Sequence, residues 1–132
     1  MREIKFRGKR IDTGEWVVGD YSRYSKETSI IMVDLLEPED YWVWSATVGQ
    51  YTGLQDKNGV EIFEGYIATH KDYECFGYVV FSDDESAFAF LVVTGSNNKG
   101  PTTEFEWLYD YADGLEIIGD IYENPELLEE IR

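Results

Sequence analysis

The 132-residue chain has one cysteine, Cys75, and one histidine, His70. A lone cysteine excludes an internal disulfide and fits a reducing compartment. Zinc patterns need paired cysteines or histidines, so the neighbourhood of His70, Asp72, Glu74 and Cys75 does not read as a metal site. No apolar run approaches the roughly 18 residues of a membrane span. The opening MREIKFRGKR lacks the apolar centre and cleavage site of a secretory leader. The expectation is a cytoplasmic chain with no membrane segment, no metal and no cofactor.

Positive charge is also scarce, with 11 Lys and Arg against 27 Asp and Glu, a formal net charge of −16. The first ten residues run the other way: Arg2, Lys5, Arg7, Lys9 and Arg10 face only Glu3. Each phosphate contact needs a cation, so direct nucleic-acid binding is disfavoured. A soluble acidic domain with a basic first strand is the plain reading of this charge. Two sharper ones are an acidic surface shown to a basic partner and a mimic of DNA phosphates. The Gly95–Gly100 segment GSNNKG lacks the Gly-Lys-Ser/Thr ending and following helix of a phosphate loop. His70 and Cys75 stand five residues apart across an expected turn, so thiol and imidazole can meet there. A catalytic pair also needs an orienting third group, and the pair reads as incidental. Twenty-seven acids always offer some pair of carboxylates, so acid–base chemistry has no specific signal. No catalytic residue is assigned, and a small hydrolase stays the third choice of function.

What the chain has is apolar and aromatic mass, at 43% and 16% of residues. That excludes disorder, and the aromatic and β-branched content suits strands. The organising stretch is Gln50–His70, QYTGLQDKNGVEIFEGYIATH. Asp56-Lys57-Asn58-Gly59 is a turn in which Asp56 bonds downstream N–H groups and Gly59 takes positive φ. Tyr51–Leu54 and Val60–Phe63 flank it as a hairpin. Glu64-Gly65 breaks the strand and Tyr66–His70 starts another. Residues 3–21 read as an N-terminal hairpin turning at Asp12-Thr13-Gly14, followed by strands at 28–35 and 41–48. Cys75–Phe81 and the very apolar Ala87–Val93 are further strands. Thr94–Thr103 is the one flexible-looking segment. Glu104–Tyr111 fits a strand or a short helical turn, and Leu115–Tyr122 is a strand interrupted at Gly119. Asn124, Pro125 and Glu126 have the order of an N-cap, first helical position and acidic first turn.

Trp42 and Trp44, at i and i+2 of a strand, share a face and form a candidate binding platform; the competing reading puts them in a core or subunit contact. Tyr66 and His70, at the mouth of the strand after the Glu-Gly break, are candidate surface contacts.

Three blocks carry a family resemblance. They are Met1–Arg7 (MREIKFR); Gln50–Leu54 with Asp56–Gly59, Ile62–Gly65 and Ile67; and Ile118–Leu128 (IGDIYENPELL). Together they resemble the YopX-like family of phage and prophage proteins. The departure is Tyr66, where the family usually has Asp after Glu-Gly. The resemblance implies an SH3-like β-roll for the C-terminal part, a β-rich N-terminal part and a phage or prophage accessory role. It implies no activity. The expected architecture is all-β: an N-terminal β subdomain over 1–45, an SH3-like β-roll or barrel over 48–123, and a short C-terminal helix over 124–132. The expected function is a non-enzymatic protein-interaction module whose partner is a protein of the bacterial host. Its aromatic load and short sheet edges add the expectation of a homo-oligomer. An acidic inhibitor or DNA mimic is the alternative.

Overall fold

The computed structural model describes residues 3–33 and 36–129. It divides the chain into two compact units, Met1–Tyr51 and Thr52–Arg132.

The first unit is built from β1 (Phe6–Lys9), β2 (Trp16–Arg23), β3 (Thr28–Met32) and β4 (Asp40–Trp44). A 3-10 turn at Ser45–Thr47 leads into β5 (Gly49–Gln55), which runs across the unit boundary. All pairings are antiparallel, in the order β4-β3-β2-β1-β5. The sheet curls until the end of β1 reaches β4: Arg10 bridges Val43, and the Ile11 N–H donates to the Trp42 carbonyl at 3.0 Å. Glycine permits the curl, since a Cβ on Gly8 would press on Val43. Ile31 and Val43 are fully buried on the inner face, and Phe6 packs on Tyr21. The expected strand 41–48 ends at Trp44. Thr47 Oγ1 donates to the Trp44 carbonyl and accepts the Lys9 N–H, which tightens the next residues into the 3-10 turn. Of the expected strand 28–35, residues 34–35 lie outside the described residues.

The second unit adds β6 (Glu61–Phe63), which pairs with β5, and a separate five-stranded antiparallel sheet. Its strands are β7 (Tyr66–His70), β8 (Cys75–Ser82), β9 (Ala87–Asn97), β10 (Gly100–Trp107) and β11 (Leu115–Asp120), in the order β10-β9-β8-β7-β11. One helical turn, α1 (Leu108–Tyr111), and a 3-10 turn at Ala112–Gly114 link β10 to β11. Leu108, Ala112 and Leu115 close over Ala68, Val79, Phe88 and Phe90 to make the core.

Two expectations are corrected here. The strands form two open sheets, with no closed SH3-like barrel among the described residues. Residues 94–103 are not a flexible loop. The Asn97 side chain accepts the Lys99 N–H at 2.8 Å and Gly100 takes φ +118°, so Asn98-Lys99 is a two-residue turn inside a long β9–β10 hairpin. That hairpin extends the edge of the sheet instead of returning the chain across a barrel. The expected short helix after Asn124 is a 3-10 helix, Pro125–Glu129; residues 130–132 lie outside the described residues. The Asn124 Oδ1 accepts the Asp120 N–H, so its side chain ties the segment back to β11.

Candidate functional site

Strand alternation places Asp40, Trp42 and Trp44 on the outer face of β4, opposite the buried Val43. Trp42 is 46% exposed and Trp44 45%, large values for indoles on a sheet. Cross-strand register puts Ile30 beside Trp42, Thr28 beside Trp44, and Met32 between Asp40 and Asp20. Tyr24, 72% exposed, sets its ring edge-on to Trp42 at 5.0 Å. Two clefts open on this face and share Asp40. One, of about 520 Å³, is lined by Arg10, Ile11, Asp12, Thr28, Asp40, Tyr41 and Trp42. The other, of about 350 Å³, is lined by Asp20, Tyr21, Ser22, Ile30, Met32 and Asp40.

Several cations of this unit are already engaged. Arg10 grips Asp12 with two hydrogen bonds, 3.0 and 2.7 Å, and lies over the Tyr41 ring at 4.4 Å. The paired carboxylate raises the Arg10 guanidinium and is itself held below the usual carboxylate range. A hydrogen bond to Glu39, with desolvation behind it, raises the Tyr41 phenol. Arg7 stacks on Trp16 at 3.5 Å with 7% exposure, and Lys5 sits over Tyr51 at 4.9 Å. The exposed Asp20 and Asp40 therefore stand beside apolar side chains on a face whose aromatic rings hold cations from within the chain.

In the second unit, Tyr66 and His70 mark the two ends of β7. Tyr66 is half-buried and packs on Phe63 at 5.9 Å. His70 is 6% exposed. Its ring contacts Tyr73 at 4.5 Å and Tyr111 at 5.1 Å, and Gly114 backs it so closely that a Cβ there would collide with the imidazole. The Asp72 N–H donates to His70 Nδ1 at 3.1 Å, so the neutral ring carries its proton on Nε2. Cys75 is the cross-strand partner of His70. Burial, and then the Glu106 carboxylate, push the Cys75 thiol up, which keeps it protonated and poorly nucleophilic at neutral pH. Among the described residues no group of three or more His, Cys, Asp or Glu is arranged to hold a metal ion. No helix among them is long and apolar enough to cross a membrane.

The two tryptophans thus belong to one surface in the first unit, and Tyr66 and His70 to the second unit. Sequence reasoning missed Asp40, although it precedes Trp42 by two on the same strand face. It missed Tyr24, Ile30 and Met32 because the neighbouring strand β3 and the β2–β3 connection deliver them.

The residues of the central and closing blocks build turns. Asp56 is buried: its Oδ1 accepts the Asn58 and Val60 N–H groups and its Oδ2 accepts that of Ile117. Asp120 Oδ1 accepts the N–H groups of Tyr122 and Glu123. Gly65 takes φ +90°, donates to the Val79 carbonyl and accepts from Ile121. Residues 5–129 match the family described as YopX protein. The chain belongs to the YopX family. The chain is similar in fold to a solved structure: the crystal structure of protein EF1440 from Enterococcus faecalis covers 97% of this chain and 99% of its own, at 24% identity and a TM-score of 0.56. Likeness at that identity concerns the fold alone. No curated protein sequence matches the chain.

Proposed function

We propose that this YopX-family chain is a protein-interaction module of phage or prophage type, working in the bacterial cytoplasm on a protein of the host, and that its contact surface is the outer face of the first unit's sheet. The observation that carries the reading is the exposed group of Trp42, Trp44 and Tyr24, with Trp42 lining the larger open cleft. Aromatic side chains in such settings dominate protein interfaces. Self-association is part of the proposal. In the second unit α1 covers the sheet face that carries Phe90, while the opposite face carries the part-buried Phe76, Tyr78, Val80 and Leu91 and the exposed Phe105, with no charge on β8 or β9.

A hydrolase built on His70 and Cys75 draws no support from a protonated thiol and an Nδ1 that accepts a backbone N–H. A DNA mimic needs its acids in line on one face. The acids of the second unit are spread over it, at Asp72 and Glu74 in the β7–β8 turn, at Asp83–Glu85 in the β8–β9 turn at the other end of the sheet, along β10 at Glu104 and Glu106, and on β11 at Glu116.

The test is affinity capture from a bacterial lysate with the intact chain and with W42A/W44A. The reading expects a partner that the double variant loses while its circular dichroism stays unchanged. Equal capture by both removes this face from consideration. Light scattering that gives a clean monomer at micromolar concentration removes the self-association.

A further inference from the structure

Within the first unit the same interaction recurs, with Lys5 on Tyr51, Arg7 on Trp16 and Arg10 on Tyr41. Each pairs a cation of the basic N-terminal stretch with an aromatic ring of a neighbouring strand. Trp42 and Trp44 are the exposed rings of this sheet, and no cation of the described residues lies over either. Beside them stands Asp40, and one strand beyond Met32 stands Asp20. Two strand spacings separate these carboxylates, about 10 Å. Arg10, the cation lining the larger cleft, is held by Asp12. With Glu39 on Tyr41 as well, the local balance is negative. The floor between the acids is apolar, Ile30 and Met32. A guanidinium or ammonium with an aliphatic stem matches each part of this surface: head on the carboxylate, stem on the floor, charge over the indole.

We infer that the outer face of the first unit binds an extended basic segment of a partner protein, one arginine or lysine of which seats in the cleft between Trp42 and Asp40. This rests on the proposal that the face is the contact surface, and names the chemistry of what it contacts.

The experiment is an NMR titration of the full 15N-labelled chain with hexa-arginine at 0.15 M salt, with hexa-glutamate as the control peptide. The Trp42 indole N–H, assigned by its loss in W42F, should shift with hexa-arginine and stay in place with hexa-glutamate. D40N should weaken the hexa-arginine binding about threefold and W42L about fivefold, sizes that fit one exposed ion pair and one cation–π contact. Neutralising the β8–β9 turn with D83N/D84N/E85Q should leave it unchanged. Both test positions are exposed, so circular dichroism should show D40N and W42L folded. Shifts that gather at the β8–β9 turn, or equal weakening by D40N and by the triple variant, mean that net charge alone attracts the peptide and overturn the inference. If W42A/W44A abolishes capture of a partner but hexa-arginine does not compete for it, the contact surface stands and its basic occupant falls. If capture is indifferent to W42A/W44A, the surface itself falls. Self-association abolished by W42L would make the occupant a second copy of the chain, which also overturns the inference.

Discussion

In the second unit two carboxylates, Asp56 and Asp120, are buried and accept backbone N–H groups; in the first, Asp20 and Asp40 stand exposed beside apolar and aromatic side chains. A buried carboxylate is tolerated where hydrogen bonds replace its water, and each such bond then fixes a stretch of chain. An exposed one is held by nothing comparable and stays available to a partner's charge. One residue type thus sets geometry in one unit and offers contact in the other. The blocks that carry the family resemblance fall mostly on the first kind. The aromatic platform lies between those blocks.

The comparison breaks most readily at Asp56. Asp56→Ala strands three backbone N–H groups, one of them on β11, and should cost about 4 kcal/mol in urea unfolding, a few charge-assisted bonds' worth. Under the same conditions W42A/W44A should cost well under that, because both indoles are half in water already. Equal losses would mean that the tryptophans are structural and would erase the distinction.

A smaller effect is expected at Gly114, whose missing side chain leaves the room that the His70 ring fills. Gly114→Ala should cost about 2 kcal/mol, the scale of overpacking a tight site. It should also loosen the ring from Tyr73 and Tyr111, visible as a shift of the histidine C–H resonances. A variant as stable as the parent, with unmoved resonances, would show that the ring is not held there.

How much of this was legible follows from how far each interaction reaches along the chain. The Asp56 turn was legible because the side chain bonds residues two and four positions on. Its third bond, to Ile117 sixty-one residues away, was not. Arg7 belongs to an alternating basic strand, which reads as solvent-facing; Trp16 arrives across the β1–β2 hairpin and covers it. Burial of His70 depends on Tyr111 and Gly114, more than forty residues on. Glycine and asparagine in 94–103 suggest mobility in the sequence, yet they close one tight turn. In the candidate site, Trp42 and Trp44 were found by their two-residue spacing, while Arg10 and Tyr24 reach it from other elements.

The smallest effect concerns Cys75, where an acid of the second unit acts through its field and makes no contact bond. Burial raises the thiol and the Glu106 carboxylate raises it further. A raised thiol holds less thiolate at any given pH, and the thiolate is the form that alkylates. Iodoacetamide should therefore modify Cys75 more slowly than a free cysteine at pH 8, with the rate still climbing where free thiol has levelled off. Glu106→Gln removes the second cause and leaves the first, so the rate–pH curve should move to lower pH without reaching the free-cysteine position. A curve that returns fully to that position would make the carboxylate, and not burial, the main control. Alkylation as fast as free cysteine in the unaltered chain would contradict the packing around His70 and Cys75 and return that pair to the list of reactive sites.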